Sequence, residues 1–287
     1  MTYHKNLPKI NIHPILLIFI LISFITGTFM ELSIILAIVF IHELGHFIMA
    51  RIFNWRIHSI MLWVFGGVMK TEEHGNRSLF EEALVIIAGP FQHVLIYIVV
   101  QLLLMGNLLP VSVVEMILFY NLMILIFNLL PIWPLDGGKL LFILLCYSLP
   151  FQKSYHITII FSLIASVTFI LLHFLFFSFT LSFFLILLFL CMENRTEWKQ
   201  RYFVFIRFLL NRYKGDLPIK KVHPITVPHH SSLMDIFIHF HRDRKHPIYI
   251  TFANHHRKAI DEIDCLHYYF NDKKYQQTIG ELVKDVV

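Results

Sequence analysis

Six apolar stretches, at about 14–29, 32–50, 83–105, 116–131, 156–172 and 177–192, leave few folds open to this sequence. Each is long enough, or nearly so, to cross about 30 Å of hydrocarbon at about 1.5 Å per helical residue. A soluble fold of 287 residues could not cover the apolar share, because 57% of the residues are hydrophobic, 29 are phenylalanine and the mean hydropathy is +0.66. The expected fold class is an α-helical polytopic membrane protein with six transmembrane helices.

The connections sort by basic residues, since short cytoplasmic loops retain Lys and Arg while translocated ones lose them. Lys5 and Lys9 precede the first span, Arg51, Arg56, Lys70 and Arg77 follow the second, Lys139 and Lys153 follow the fourth, and Arg195 follows the sixth. The links Gly27 to Glu31, Gly106 to Glu115 and His173 to Thr180 hold neither residue type. Both termini are therefore expected in the cytoplasm. The net charge of +5 belongs to these cytoplasmic flanks, and no nucleic-acid partner is expected. Cys146, Cys191 and Cys265 have no paired spacing, which argues against a disulfide framework or a thiolate zinc site. No small-residue cleavage site leads into a soluble mature domain, so Pro14 to Phe29 is expected to stay as the first span.

Two cytoplasmic connections remain apolar. Ile57 to Met69 is β-prone and carries Phe65-Gly66-Gly67, which suits a short membrane-embedded β-hairpin; irregular backbone at that depth must be buried or line a cavity. In Leu129 to Leu140, Pro131 and Pro134 break the fourth span and Gly137-Gly138 permits a turn, which puts Asp136 on a non-helical stretch. From about Tyr213 the chain becomes charged and histidine-rich with short hydrophobic runs. The expected organisation is a membrane domain over 1–195, a linker helix over 196–212 and a small C-terminal α+β cytoplasmic domain over 213–287.

The chemistry centres on Ile41-His42-Glu43-Leu44-Gly45-His46, inside the second span. In a helix His42 and His46 lie one turn apart on one face, so two imidazoles converge, an arrangement suited to zinc with an open water position. Glu43 stands beside them as the base that takes a proton from an activated water. A glutamate in mid-span costs about 2.5–3.5 kcal/mol on insertion scales and needs partners. The plainer alternative is a buried polar pair stapling two helices. Asp136 is the best third ligand, being the only carboxylate between Glu115 and Glu193; taken alone it is also an ordinary turn residue. Two histidines and an aspartate also suit iron and other divalent ions, and Glu43 favours zinc.

These residues resemble the site-2 protease family of intramembrane zinc metalloproteases, whose signatures are a helical His-Glu-x-x-His and a later Asp-Gly. The run Asn128-Leu-Leu-Pro131-Ile-Trp-Pro134-Leu-Asp136-Gly-Gly is similar to the second signature throughout. With the Gly66-Gly67 hairpin, Ala88-Gly89-Pro90 and the small tail, the chain resembles the sporulation branch of that family over nearly its full length. The resemblance implies that His42, His46 and Asp136 bind zinc and that Glu43 is the general base. It also implies pro-sigma-K, the precursor of a late sporulation transcription factor, as substrate. The expected location is the outer forespore membrane, tail toward the mother-cell cytoplasm, with membrane-bound inhibitory sporulation proteins as partners. His93 departs from the Asn that many members carry there, and a satisfied buried histidine is the plain reading.

Asn128 and Pro134 are candidate substrate-binding residues, although an amide in a span also bridges helices. Phe65, Gly66 and Gly67 are candidates to pair with an extended substrate strand, or form a packing element. The tail resembles one cystathionine-beta-synthase-type (CBS) module, which implies ATP binding and a homo-oligomer of tails. Nine histidines between His223 and His267 are irregularly spaced and read as a solvated surface. Two other functions keep the same residues: a divalent-metal transporter, weakened by the lack of duplicated broken helices, and a membrane scaffold without catalysis.

Overall fold

The computed structural model describes residues 9–12, 14–63, 66–71, 75, 77–176, 181–215, 221–252 and 256–284. The chain begins with strand β1 (Lys9–Ile12), helix α1 (Pro14–Thr26), helix α2 (Phe29–Ile52), strands β2 (Ile57–Trp63) and β3 (Gly66–Thr71), and helices α3 (Leu79–Met105) and α4 (Val111–Asn128). Helices α5 (Asp136–Ser148), α6 (Phe151–Phe176) and α7 (Leu181–Tyr213) follow. The remainder is β4 (Lys221–Val222), β5 (Ile225–Pro228), α8 (Leu233–Phe237), β6 (Arg244–Lys245), β7 (Ile248–Thr251), β8 (Arg257–Ile260), α9 (Glu262–Phe270) and α10 (Ile279–Lys284). The described residues fall into two compact units, one drawn from 1–74, 80–131 and 135–140, the other from 75–79, 132–134 and 141–287.

The first unit is an inside-out arrangement of the kind lipid demands. In α2 the buried stripe is Ile38, Val39, His42, Gly45, His46 and Ala50, while Phe40, Ile41, Leu44 and Ile48 are exposed. In α3 the buried stripe runs Glu82, Val85, Ile86, Gly89, His93, Ile96 and Val100, and Phe91, Val94, Leu95 and Ile98 are exposed. Polar groups inside and large apolar side chains outside are stable only where the surroundings are hydrocarbon. The two stripes meet because their contact residues are small: a Cβ on Gly45 would sit 2.4 Å from the Ala88 carbonyl oxygen. β2 and β3 pair antiparallel from Trp63–Gly66 to Ile57–Thr71, and β1 adds parallel to β2 with Lys9 opposite Ser59.

Among the described residues, four helices, α2, α3, α4 and α6, are long and apolar enough to cross a membrane. Of the six expected spans, the first falls on the 13-residue α1, and the last lies partly outside the described residues and partly on α7. Asp136 does not lie on a non-helical stretch; it is the first residue of α5, a helix that a reading of Gly137-Gly138 as a turn misses. Pro131 and Pro134 do end α4, but a carboxylate two residues past a proline is well placed in a new first turn, where it faces the positive end of the helix dipole. Gly137 is there for space: a Cβ would lie 2.2 Å from the Leu129 carbonyl oxygen.

In the second unit, α6 turns a stripe of Ser154, Thr158, Ser162 and Ser166 inward, each fully buried, and packs along α7. Asn194 of α7 donates to the Trp133 carbonyl at 2.7 Å, and the Trp133 amide donates to Ser162 Oγ at 2.7 Å. Beyond α7, β5 pairs parallel with β7, and β7 pairs antiparallel with β8. Alternation buries Ile225, Val227, Ile248 and Ile250 on one sheet face, where Leu233, Ile236, Phe237 and Leu266 cover them. The tail histidines are not all a solvated surface, because His241 and His246 are buried.

Candidate metal centre

His42 and His46 project from one face of α2, and the start of α5 brings Asp136 to them. His46 Nε2 is 3.0 Å from Asp136 Oδ2, His42 Nε2 is 3.1 Å from the same oxygen, and the two Nε2 atoms are 3.1 Å apart. All three residues are buried, at 3%, 7% and 3% exposure, so water does not screen the group. Among the described residues it is the one cluster of three such side chains with ligand spacing.

The hydrogen bonds behind the ligand atoms decide what the group can hold. His46 Nδ1 lies 2.8 Å from the Val85 carbonyl, which can only accept, so that nitrogen carries the proton and Nε2 offers its lone pair to the cluster. Lys139 Nζ is 3.3 Å from Asp136 Oδ1, which leaves Oδ2 turned inward. With both imidazoles neutral, their lone pairs and a carboxylate oxygen would meet in a buried spot, an arrangement that repels itself unless a cation sits among them. Ligands about 2.0–2.1 Å from zinc at tetrahedral angles lie about 3.3 Å from each other, close to the spacing here. The residues fit the metal. The packing also leaves no slack, since a Cβ on Gly89 would lie 2.2 Å from His46 Nε2.

The other candidates lie in different settings. Glu43 follows His42 on α2 and is half-buried. Asn128 ends α4 and donates to the Ile124 carbonyl of its own helix at 3.1 Å. Gly66 and Gly67 open β3, opposite Trp63 and Leu62. Phe65 lies outside the described residues, and Pro134 is in the link between α4 and α5. Sequence reasoning missed Lys139 and Asn121. Lys139 stands one helical turn after Asp136, a spacing visible once α5 is read as a helix. Asn121 is visible as an amide in an apolar span, which it shares with Asn128.

The residues 30–109 and 105–172 match the family model "Peptidase family M50". Stage IV sporulation protein FB of Bacillus subtilis is 40% identical over 280 residues, 96% of each chain. A zinc metalloprotease of Methanocaldococcus jannaschii is 33% identical over 171 residues, 54% of this chain and 49% of that one. Among solved structures, a site-2 protease from the same archaeon aligns with a TM-score of 0.52 at 24% identity, over 66% of this chain and 89% of that one, a likeness of fold. The chain is an integral membrane zinc metalloprotease and belongs to peptidase family M50, the site-2 protease family.

Proposed function

We propose that this enzyme hydrolyses a peptide bond of a membrane-associated protein precursor at the cluster of His42, His46 and Asp136, with Glu43 as general base. The observation that carries the reading is the convergence of two imidazole nitrogens and a carboxylate oxygen within 3.0–3.1 Å of one another, one residue along the helix from a glutamate. His42, His46 and Asp136 would hold zinc, which when bound supplies the positive charge that polarises the scissile carbonyl and acidifies the attacking water. Glu43 accepts the proton of that water at its carboxylate and delivers it to the departing amine nitrogen, so that the broken C–N bond leaves as a neutral amine.

The full-length likeness to a sporulation protein supports pro-sigma-K as substrate, the outer forespore membrane as location and membrane-bound inhibitory partners. The distribution of Lys and Arg supports six spans with both termini cytoplasmic. The paired β2 and β3 act as a membrane-embedded edge that an extended substrate can extend, since a helical peptide bond is internally hydrogen-bonded and shielded from attack. Asn128 and Pro134 belong to the second signature of the resemblance, which supports a part in substrate binding. The order β5, α8, β6, β7, β8, α9 supports reading the tail as a single CBS-type module. ATP binding between two tails extends the same resemblance, and nucleotide titration of the full-length protein tests it.

Co-expression with pro-sigma-K tests the central reading. Wild type is expected to shorten the precursor, while His42→Ala and Asp136→Ala lose both zinc and cleavage. A precursor processed equally by Asp136→Ala would overturn the assignment.

A further inference from the structure

We infer that His93 and Asn121 are positioning residues that fix the tautomer of His42 and so aim its Nε2 lone pair at the metal; this rests on the metal site proposed above. Both are buried polar groups in apolar helices, α3 and α4, where each needs a partner. Asn121 Nδ2 donates to the His93 carbonyl at 3.0 Å, which sets the amide's orientation and turns its oxygen to His93. That oxygen, 2.8 Å from His93 Nδ1, can only accept, so Nδ1 carries the proton. Neutral His93 then presents a lone pair at Nε2, 3.1 Å from His42 Nδ1. His42 must donate there, and its remaining nitrogen, Nε2, is the one that faces Asp136 and His46.

The relay runs in one direction: amide oxygen, His93, His42, metal. Its role matches that of the Val85 carbonyl behind His46, so each imidazole has its own outer acceptor. Partners of this kind orient ligands and raise their basicity, and losing one typically lowers metal affinity about 10- to 100-fold. The opposite proton order, with His93 donating to His42 Nδ1, would put a proton on the His42 nitrogen that faces the metal.

The experiment is zinc competition with a chelator on the full-length protein in detergent, comparing wild type, His93→Phe, His93→Gln and His42→Ala. His93→Phe keeps the ring volume but not the acceptor, and is expected to weaken zinc about 10- to 100-fold. His93→Gln, whose amide oxygen reaches about where Nε2 sits, is expected to recover most of that loss, as a purely space-filling role would not allow. His93→Phe binding like wild type, or Gln no better than Phe, overturns the inference. Wild-type affinity in His42→Ala would instead overturn the metal site itself. Ring ¹⁵N shifts of His42 in metal-free wild type give a check that needs no variant: protonated Nδ1 is expected, and protonated Nε2 with bare Nδ1 contradicts it.

Discussion

At Gly89 a hydrogen stands where any side chain would displace a histidine of the cluster, because its Cβ would fall 2.2 Å from His46 Nε2 and 2.9 Å from His42 Cε1. Gly89→Ala is therefore expected to fold with helices α2 and α3 pushed apart and to purify with less than a tenth of the wild-type zinc. Metal analysis checks this, and full occupancy would contradict it. Lys139 acts more weakly, since its side chain is 32% exposed and its ammonium holds only the outer oxygen of Asp136 at 3.3 Å. Lys139→Met is expected to lower zinc affinity by about 1 kcal/mol, roughly fivefold, in the same chelator titration. At this scale the sequence is legible where contacts are local. His42, Glu43 and His46 declare themselves through one turn of helix, and Asp136 through the broken span before it. His93 does not, because its bond to His42 spans 51 positions and depends on how two helices pack.

At the scale of elements, the helices of the membrane region follow from apolar length alone, and the misreading of α5 comes from treating Gly137 as a turn residue when it serves a close approach to Leu129. The tail holds another pairing that no spacing reveals. Arg212, at the end of α7, bonds Glu262 at 2.8 Å and the His241 carbonyl at 3.1 Å, and also meets the Arg244 carbonyl. Glu262 also accepts from the His246 amide at 2.8 Å. His246 Nε2 accepts from the His241 amide at 3.1 Å, which leaves its Nδ1 protonated toward Glu262. Removing one partner of a buried ion pair strands the other, so Glu262→Ala should destabilise the tail by about 3–5 kcal/mol, read as faster hydrogen exchange across β7.

Acid should act on the same elements. Burial, with the neighbouring Arg244 charge, pushes His241 down to about 4, and burial beside Arg212 lowers His246. Burial works against the Glu262 carboxylate, but the His246 hydrogen bond and the Arg212 charge prevail and hold it below its ordinary range. All three groups bind protons more readily unfolded than folded, so stability rises with pH through their window. Their contribution is complete above about pH 6.5, the ordinary histidine value, and is lost as pH falls towards 4, with Glu262 adding to the loss below about 4.5. Denaturant unfolding of the tail followed from pH 7 to pH 4 should show a falling midpoint, and a flat profile would contradict the assignment.

For the whole molecule, the sequence reveals a membrane enzyme because two patterns agree: polar residues at helical spacing inside apolar spans, and basic residues confined to alternate links. What joins them is the packing of small residues, Gly45 and Gly89, which lets α2 and α3 approach closely beside the buried cluster of His42, His46 and Asp136. In the proposed mechanism the roles are separate: the imidazoles and Asp136 would keep the metal, and Glu43 would move the proton. Glu43→Gln, co-expressed with pro-sigma-K and purified for metal analysis, tests that separation most directly. Retained zinc with cleavage reduced at least a hundredfold is the predicted result, the size expected when a general base is removed. Cleavage at the wild-type rate by the glutamine variant would contradict it.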